Sequence, residues 1–376
     1  MNVLHIYKAY PPVVGGIEHH LRLLAEAQAR RNLDVTVLVA SAVGRASVQE
    51  ENGVRVIRAR SWGTVASTPL SPGLVGWVRR MMPDVTHLHF PYPPGELAHR
   101  LFGRGRVTIV TYHSDIVRQR WLGKLYSPLI RRLLEDSECV LATSPMYVQS
   151  SPYLRRMTKS CRVVPLGIDP RRFQSVDPQR ADQIRRREGS PLVLFVGRLR
   201  YYKGVDVLIE AAPRIDARIL VVGAGPMEQQ WQRLAAKSSA ASRIRFLGHV
   251  PDDELPLYYA AADVVVLPSS HRSEAFGQVL LEAMATGRPV VSTELGTGTS
   301  FVNQHGKTGI EVAVGDADAL AEAVNALLLD PERRRRMGAN GRQRVLEEFH
   351  VEQMVDRTVN VYREALMATS GPNRSK

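Results

Sequence analysis

Val264-Val265-Val266-Leu267-Pro268, followed by Ser273-Glu274-Ala275-Phe276-Gly277-Gln278-Val279-Leu280-Leu281-Glu282, is the stretch whose reading decides the fold. A short run of almost pure valine and leucine predicts a strand covered on both faces, as in a parallel sheet. The segment after it, running to Gly287, predicts a helix. The stretch also carries two carboxylates, Glu274 at the start of the predicted helix and Glu282 inside it. At a rise of about 1.5 Å per residue they stand roughly 12 Å apart along the axis. A hydrolase pair flanking one bond needs roughly 5–10 Å. The spacing suits one extended ligand gripped at two points, with a phosphate near the helix N-terminus between them.

The same strand-then-helix grammar recurs on both sides. Towards the C-terminus and just upstream, strands are predicted at 192–197, 218–223, 244–247, 264–268, 289–293 and 309–312. Helices are predicted between them at 205–212, 227–236, 252–261, 277–286 and 316–329. An earlier set of strands lies at 3–8, 35–40, 54–59, 85–90, 107–113 and 139–143, with helices at 17–31, 125–134 and 146–157. Pro165-Leu166-Gly167-Ile168-Asp169-Pro170 punctuates the pattern, and a polar, charge-rich segment follows to Pro191. The expectation is therefore an α/β chain of two doubly wound, Rossmann-like domains facing a cleft. The first covers residues 1–168 and the second 169–350. In open α/β sheets ligands collect at the carboxyl ends of the strands. A basic helix at 331–349 and a last amphipathic helix at 351–367 close the chain, with a polar, frayed tail at 370–376.

Composition narrows the function classes. The chain has 376 residues, a length that favours two domains. Its 44% hydrophobic and 23% charged content is ordinary for a globular protein. Its two cysteines, Cys139 and Cys161, form neither a disulfide framework nor a metal-ligand spacing, which fits a reducing compartment. Residues 1–7 read as a first strand and not as a signal peptide, and no apolar stretch approaches the roughly 20 residues of a spanning helix. The net charge of +13 favours anionic partners or reflects arginine-rich solvated faces. Aromatics are sparse and no nucleic-acid motif is present, so no nucleic acid is expected as partner.

Several residues carry candidate chemistry. Gly15-Gly16 opens the first helix; it either admits an anion to backbone N–H groups or makes a tight turn. Arg198 ends the second domain's first strand, and Lys203 begins its next helix. A cation there opposes the helix dipole, a penalty that a bound diphosphate removes. Gly223-Ala224-Gly225-Pro226 is a phosphate- or ribose-facing turn, or simply a tight one. His113, in Thr111-Tyr112-His113-Ser114-Asp115, is either a ligand contact or a packed core histidine. His87 and His89 share one face of a strand, but spacing fixes no third ligand, so packing is the preferred reading. Asp316 and Asp318 read as a helix cap with an acidic first turn. No metal is expected. The basic runs Arg333–Arg336 and Arg118, Arg120, Lys124, Arg131 and Arg132 are solvated faces or contacts with an acidic membrane surface.

Over nearly its whole length the chain resembles the retaining glycosyltransferases of family 4, which have the two-domain GT-B fold. Gly15-Gly16, Gly197-Arg198-Leu199 with Lys203-Gly204, Gly223-Ala224-Gly225-Pro226, Gly248-His249-Val250, Pro268-Ser269 and Glu274 through Glu282 carry the resemblance. Tyr112-His113-Ser114-Asp115-Ile116-Val117-Arg118-Gln119 further resembles bacterial mannosyl- and rhamnosyltransferases that build O-antigen and other surface polysaccharides.

The resemblance implies a nucleotide-sugar donor and no cofactor or metal. Glu282 would bind the ribose hydroxyls and Glu274 the hexose. Arg198, Lys203 and the backbone N–H groups near Phe276 and Gly277 would hold the diphosphate, Gly225 and Val250 would line the donor site, and His113 would contact the transferred sugar. Gly15 and Gly16 would approach the diphosphate on closure. Glu274, His113, Arg198 and Lys203 are thus the implied catalytic set. The resemblance also returns the last helix, 351–368, to the first domain. A GDP-hexose, mannose or a deoxyhexose, is the expected donor, with a UDP-sugar or a GT-B sugar-nucleotide epimerase as alternatives. The expected acceptor is a saccharide or lipid-linked saccharide, and the expected location is cytoplasmic, peripheral at the inner face of the membrane.

Overall fold

The computed structural model describes all residues except 14, 66–67, 116–119, 158–160 and 371–376, with the backbone alone at 120–125. Two compact units emerge, one formed by Met1–Gly167 with Val351–Lys376 and the other by Ile168–His350.

The first unit carries β1 (Asn2–Ile6), β2 (Asp34–Ala40), β3 (Ser47–Glu51), β4 (Val54–Ala59), β5 (Gly63–Val65), β6 (Thr68–Leu70), β7 (Val85–Phe90), β8 (Val107–Tyr112), β9 (Cys139–Ala142) and β10 (Cys161–Val163). Eight of them form one sheet in the order β10-β9-β8-β7-β1-β2-β4-β3, and β5 pairs with β6. Within the eight-stranded sheet the pairings are parallel except for the antiparallel β3–β4 edge, and the separate β5–β6 pair is antiparallel. The strand order reverses at β1, whose neighbours are β2 and β7.

The last helix, Val351–Ser370, packs on this unit. Val351, Met354, Val355, Val359 and Tyr362 recur at helical spacing and join Val3, Leu24, Val85, Ile109 and Leu141 in one buried core. Each such apolar side chain contributes about 1.5–3 kcal/mol by burial. The Arg31–Glu352 and Arg31–Asp356 ion pairs beside it are partly exposed and contribute little.

The second unit carries β11 (Leu192–Val196), β12 (Arg218–Val222), β13 (Ile244–Gly248), β14 (Val264–Leu267), β15 (Val290–Thr293) and β16 (Gly309–Val312). They form one parallel sheet in the order β13-β12-β11-β14-β15-β16. β11 and β14 are completely buried, as their unbroken aliphatic runs require. Between them the strand order reverses, and in such sheets the loops leaving the two strands open a crevice.

Some expectations need correction. The polar segment before Pro191, to which the pattern assigns no element, folds into helices Arg171–Gln174 and Pro178–Glu188. Asp177 caps the second by accepting from the Gln179 N–H at 2.9 Å. The helix expected at 146–157 stops at Ser150. Helices Gly73–Arg80 and Pro93–Phe102, and strands β3, β5, β6 and β10, were not anticipated. Above all, the helix after β14 begins only at Gln278. Glu274 lies in the loop before it, so a helical rise cannot measure its separation from Glu282.

Candidate functional site

The loops leaving β11 and β14 meet at the switch point of the second sheet. The Ser270 N–H donates to the Tyr202 carbonyl at 2.8 Å, tying the 268–277 loop to the turn that carries Lys203. Gly204 makes the close approach possible. It adopts φ +67°, and a Cβ built on it would lie 1.8 Å from the Pro268 carbonyl oxygen. Thr297 Oγ1 donates to the Glu274 carbonyl at 2.8 Å, and the Gly298 N–H to that of Ala275 at 2.8 Å.

Lys203 and Glu274 form the centre of this site. Both are buried, and Lys203 Nζ lies 2.6 Å from Glu274 Oε2. Ser269 Oγ donates to the same oxygen at 3.2 Å. Burial drives the Lys203 ammonium towards deprotonation, but the fields of Glu274, Tyr202 and Glu282 outweigh it and leave its pKa above the ordinary lysine value. The lysine thus feels both carboxylates. The dipole penalty anticipated for Lys203 is already offset by Glu274, so relief of that penalty alone does not argue for a ligand.

Glu282, on helix Gln278–Ala285, accepts from Tyr259 OH at 2.7 Å through Oε2. Burial raises its pKa to about 7, against the opposing pull of the Tyr259 hydrogen bond and the Arg172 charge. Arg198 is exposed and its guanidinium has no partner among the described residues. Phe276 is buried edge-to-face against Phe349, with ring centroids 6.0 Å apart. Gly277, at φ +78°, precedes the helix. The Phe276 and Gly277 N–H groups find no hydrogen-bond acceptor among the described residues. Unpaired amides at a helix start favour an anion.

Gly225 and Val250 sit in the next two turns. These turns are stitched by Leu199 N–H to the Ala224 carbonyl, Met227 N–H to the Leu199 carbonyl and Gly223 N–H to the Gly248 carbonyl, at 3.0, 3.0 and 2.7 Å. Asp316 caps its helix, Oδ1 accepting from the Ala319 N–H at 2.8 Å, and Asp318 pairs with Arg214. Arg334 of the basic run donates to the Leu327 and Leu328 carbonyls. Arg118 lies outside the described residues, as do the side chains of Arg120 and Lys124.

Gly15, Gly16 and His113 belong to the first unit. Gly16 begins helix Gly16–Arg30 and Gly15 precedes it in an extended conformation. A Cβ on Gly15 would fall 2.1 Å from Glu18 Oε2, so the space beside Gly15 is filled by a carboxylate of its own helix. His113 is buried at the end of β8. His87 and His89 share a face of β7 as spacing implied, but the fold adds His5, His20 and His113 around them. Among the described residues, His5, His87 and His89, and separately His20, His89 and His113, bring ring nitrogens within 4.8 Å of one another. Sequence spacing carried no signal of this cluster, nor of the support that Ser269 and Tyr259 give the two glutamates.

Residues 14–172 match Glycosyltransferase Family 4, and residues 177–344 match Glycosyl transferases group 1. The chain is 38% identical over 373 residues to the O-antigen chain mannosyltransferase C of Escherichia coli, covering 98% of this chain and 100% of that one. The chain belongs to glycosyltransferase family 4. It is also 38% identical over 352 residues to the D-rhamnosyltransferase WbpZ of Pseudomonas aeruginosa, covering 93% of this chain and 92% of that one. Among solved structures, the sucrose-phosphate synthase of Thermosynechococcus elongatus is similar with a TM-score of 0.85 at 26% identity, covering 98% of this chain and 99% of that one. An Anabaena protein solved in complex with UDP has a TM-score of 0.79 at 20% identity, covering 97% of this chain and 100% of that one. The fold is GT-B, and the chain is a glycosyltransferase. No helix among the described residues is long and apolar enough to cross a membrane.

Proposed function

We propose that this glycosyltransferase moves a mannosyl or related deoxyhexosyl group from a GDP-sugar to a saccharide or lipid-linked saccharide, with retention and without a metal, in surface-polysaccharide synthesis. The buried Lys203–Glu274 ion pair at the switch point of the second sheet is the observation that carries this reading. The kinship with a mannosyl- and a rhamnosyltransferase supports the hexose class.

The chemistry follows from what the residues offer. As the bond to the leaving diphosphate breaks, negative charge grows on its oxygens. Lys203, the exposed Arg198 and the unpaired amides of Phe276 and Gly277 supply preorganised positive charge for it, the work a metal does elsewhere. Glu274, held by Lys203, Ser269 and Thr297, accepts from hexose hydroxyls. Glu282 accepts from ribose hydroxyls, with Tyr259 orienting its other oxygen. His113 accepts from a hydroxyl of the transferred sugar. An acceptor at the membrane fits the net charge of +13.

The test is incubation of the purified chain with GDP- and UDP-sugars and an acceptor extract, with the product's linkage and anomeric configuration read by NMR. Transfer from GDP-mannose or a GDP-deoxyhexose that persists in EDTA is expected. Transfer from UDP-sugars alone, an inverted product, or loss of turnover in EDTA would each remove the corresponding part of the reading.

A further inference from the structure

The first unit buries a row of imidazoles that the proposed chemistry uses only at its end. We infer that Gln28, His5 and His89 form a directional hydrogen-bond chain that holds His113 as its Nε2–H tautomer and leaves its Nδ1 as a lone-pair acceptor. The role of that lone pair, receiving a hydroxyl of the transferred sugar, rests on the function proposed above. The direction of the chain does not.

The contacts are continuous. Gln28 Oε1 lies 2.7 Å from His5 Nε2, His5 Nδ1 lies 3.0 Å from His89 Nε2, and His89 Nδ1 lies 3.0 Å from His113 Nε2. All four side chains are buried. Burial lowers the histidine pKa values, to about 4 for His5 and about 3 for His113, and well below the ordinary value for His89. Every ring is therefore neutral near pH 7, with one N–H and one lone pair. In such a row, fixing the proton at one end fixes all the others.

The end is fixed at Gln28. Its Nε2 donates to Tyr362 OH at 3.2 Å, so its carbonyl faces His5. A second link agrees. Tyr362 OH also meets His87 Nδ1 at 2.5 Å, and His87 Nε2 meets Thr111 Oγ1 at 2.6 Å. A phenol is the better donor and an imidazole nitrogen the better acceptor, so the tyrosine proton goes to His87. The phenol lone pairs then remain for the Gln28 N–H, and Gln28 Oε1 can only accept from His5 Nε2–H. His5 Nδ1 accepts from His89 Nε2–H, and His89 Nδ1 from His113 Nε2–H. His113 Nδ1 has no partner among the described residues.

His20 stands beside the row. Its ring meets His113 edge-on at 5.1 Å and His89 at 5.8 Å, and neither of its nitrogens has a partner among the described residues. A metal held by His20, His89 and His113 would need a lone pair on each, and the row keeps one for the hydrogen bond between His89 and His113.

Gln28, His5 and His89 are thus positioning residues. Reversing the row would turn His113 from acceptor to donor at the sugar hydroxyl. The test is tautomer assignment by long-range 1H–15N correlation on the 15N-histidine-labelled protein, wild type and Gln28→Met. In the wild type, His5, His89 and His113 should all be Nε2–H, and one equivalent of Zn2+ should leave their signals unmoved. In Q28M, with an unchanged amide spectrum, His113 should populate both tautomers, and kcat/KM should fall about 3- to 10-fold, the worth of one neutral hydrogen bond. A wild-type His113 protonated on Nδ1, a Q28M protein whose His113 tautomer is unchanged, or Zn2+ coordination by His89 and His113 would each overturn the inference. Correct tautomers in a protein that turns over no sugar nucleotide would support the row and instead sink the proposed function.

Discussion

Removing the charge of Glu274 in Glu274→Gln isolates what the ion pair at the switch point does. The substitution leaves Lys203 Nζ buried, with its 2.6 Å counter-ion gone. Breaking a buried pair from one side costs about 3–5 kcal/mol. In a unit of this size that lowers the Tm by roughly 6–20 °C. The pH dependence carries a signature. In the wild type the Lys203 pKa lies above 10.5, so its stabilisation is complete below that value and is lost only at higher pH. In E274Q burial is no longer outweighed, so the folded-state pKa falls below the unfolded one. The variant should then gain stability as pH rises from about 7 towards 10, while the wild type gains none from this group. The double variant Lys203→Met/Glu274→Gln removes both charges and should lose less stability than the two single losses added together, with a coupling energy of about 2–3 kcal/mol. Turnover behaves differently, because both charges serve the donor: each single variant and the double should lose roughly 10²–10³-fold in kcat. The assay is denaturant unfolding from pH 7 to 10 beside donor turnover. Additive stability losses within about 0.5 kcal/mol, or a double variant that regains turnover along with stability, would refute the reasoning.

Arg198→Ala should leave unfolding within about 0.5 kcal/mol of wild type, because the side chain is exposed and has no partner among the described residues, yet lower kcat roughly 10²-fold; equal turnover by the variant would take Arg198 out of the site. Gly204→Ala places a methyl 1.8 Å from the Pro268 carbonyl at a φ of +67°. It should cost about 1–2 kcal/mol in backbone strain alone, with a further loss of turnover as the Glu274 loop shifts, measured by unfolding and donor kinetics. Glu282, with a pKa raised to about 7, is an anion only above that pH. Donor affinity by calorimetry should therefore strengthen from about pH 6 to 8, and Tyr259→Phe should move that rise to higher pH, since the Tyr259 hydrogen bond lowers the carboxyl's pKa. A flat profile would remove Glu282 from the ribose.

The sequence reads most clearly where burial alone dictates it. Strands β11 and β14 must be aliphatic on both faces, and Leu192–Val196 and Val264–Leu267 announce that without context. Edge strand β3 is the opposite case. Ser47–Glu51 is nearly all exposed, and only its antiparallel pairing with β4 makes it a strand. The helix at Pro178–Glu188 was hidden by its arginines, although Asp177-Pro178 marked its start and Ala181 and Ile184 its buried side. At the site, residue types were legible but their relations were not. Glu274 and Lys203 are joined by two strand-end loops that approach because Gly204 has no side chain, a contact no local rule contains. Sequence spacing makes the two glutamates points along one helix, but Glu274 lies outside it. The histidines show the same limit more sharply. His87 and His89 could be assigned one face by period alone, and their lack of a spaced third ligand pointed to packing. The parallel register sets His5 beside His87, and helix Gly16–Arg30 adds His20 and Gln28. A row of proton donors and acceptors is created by the order in which strands lie in the sheet, and that order is decided by the whole unit's packing and not by any stretch within it.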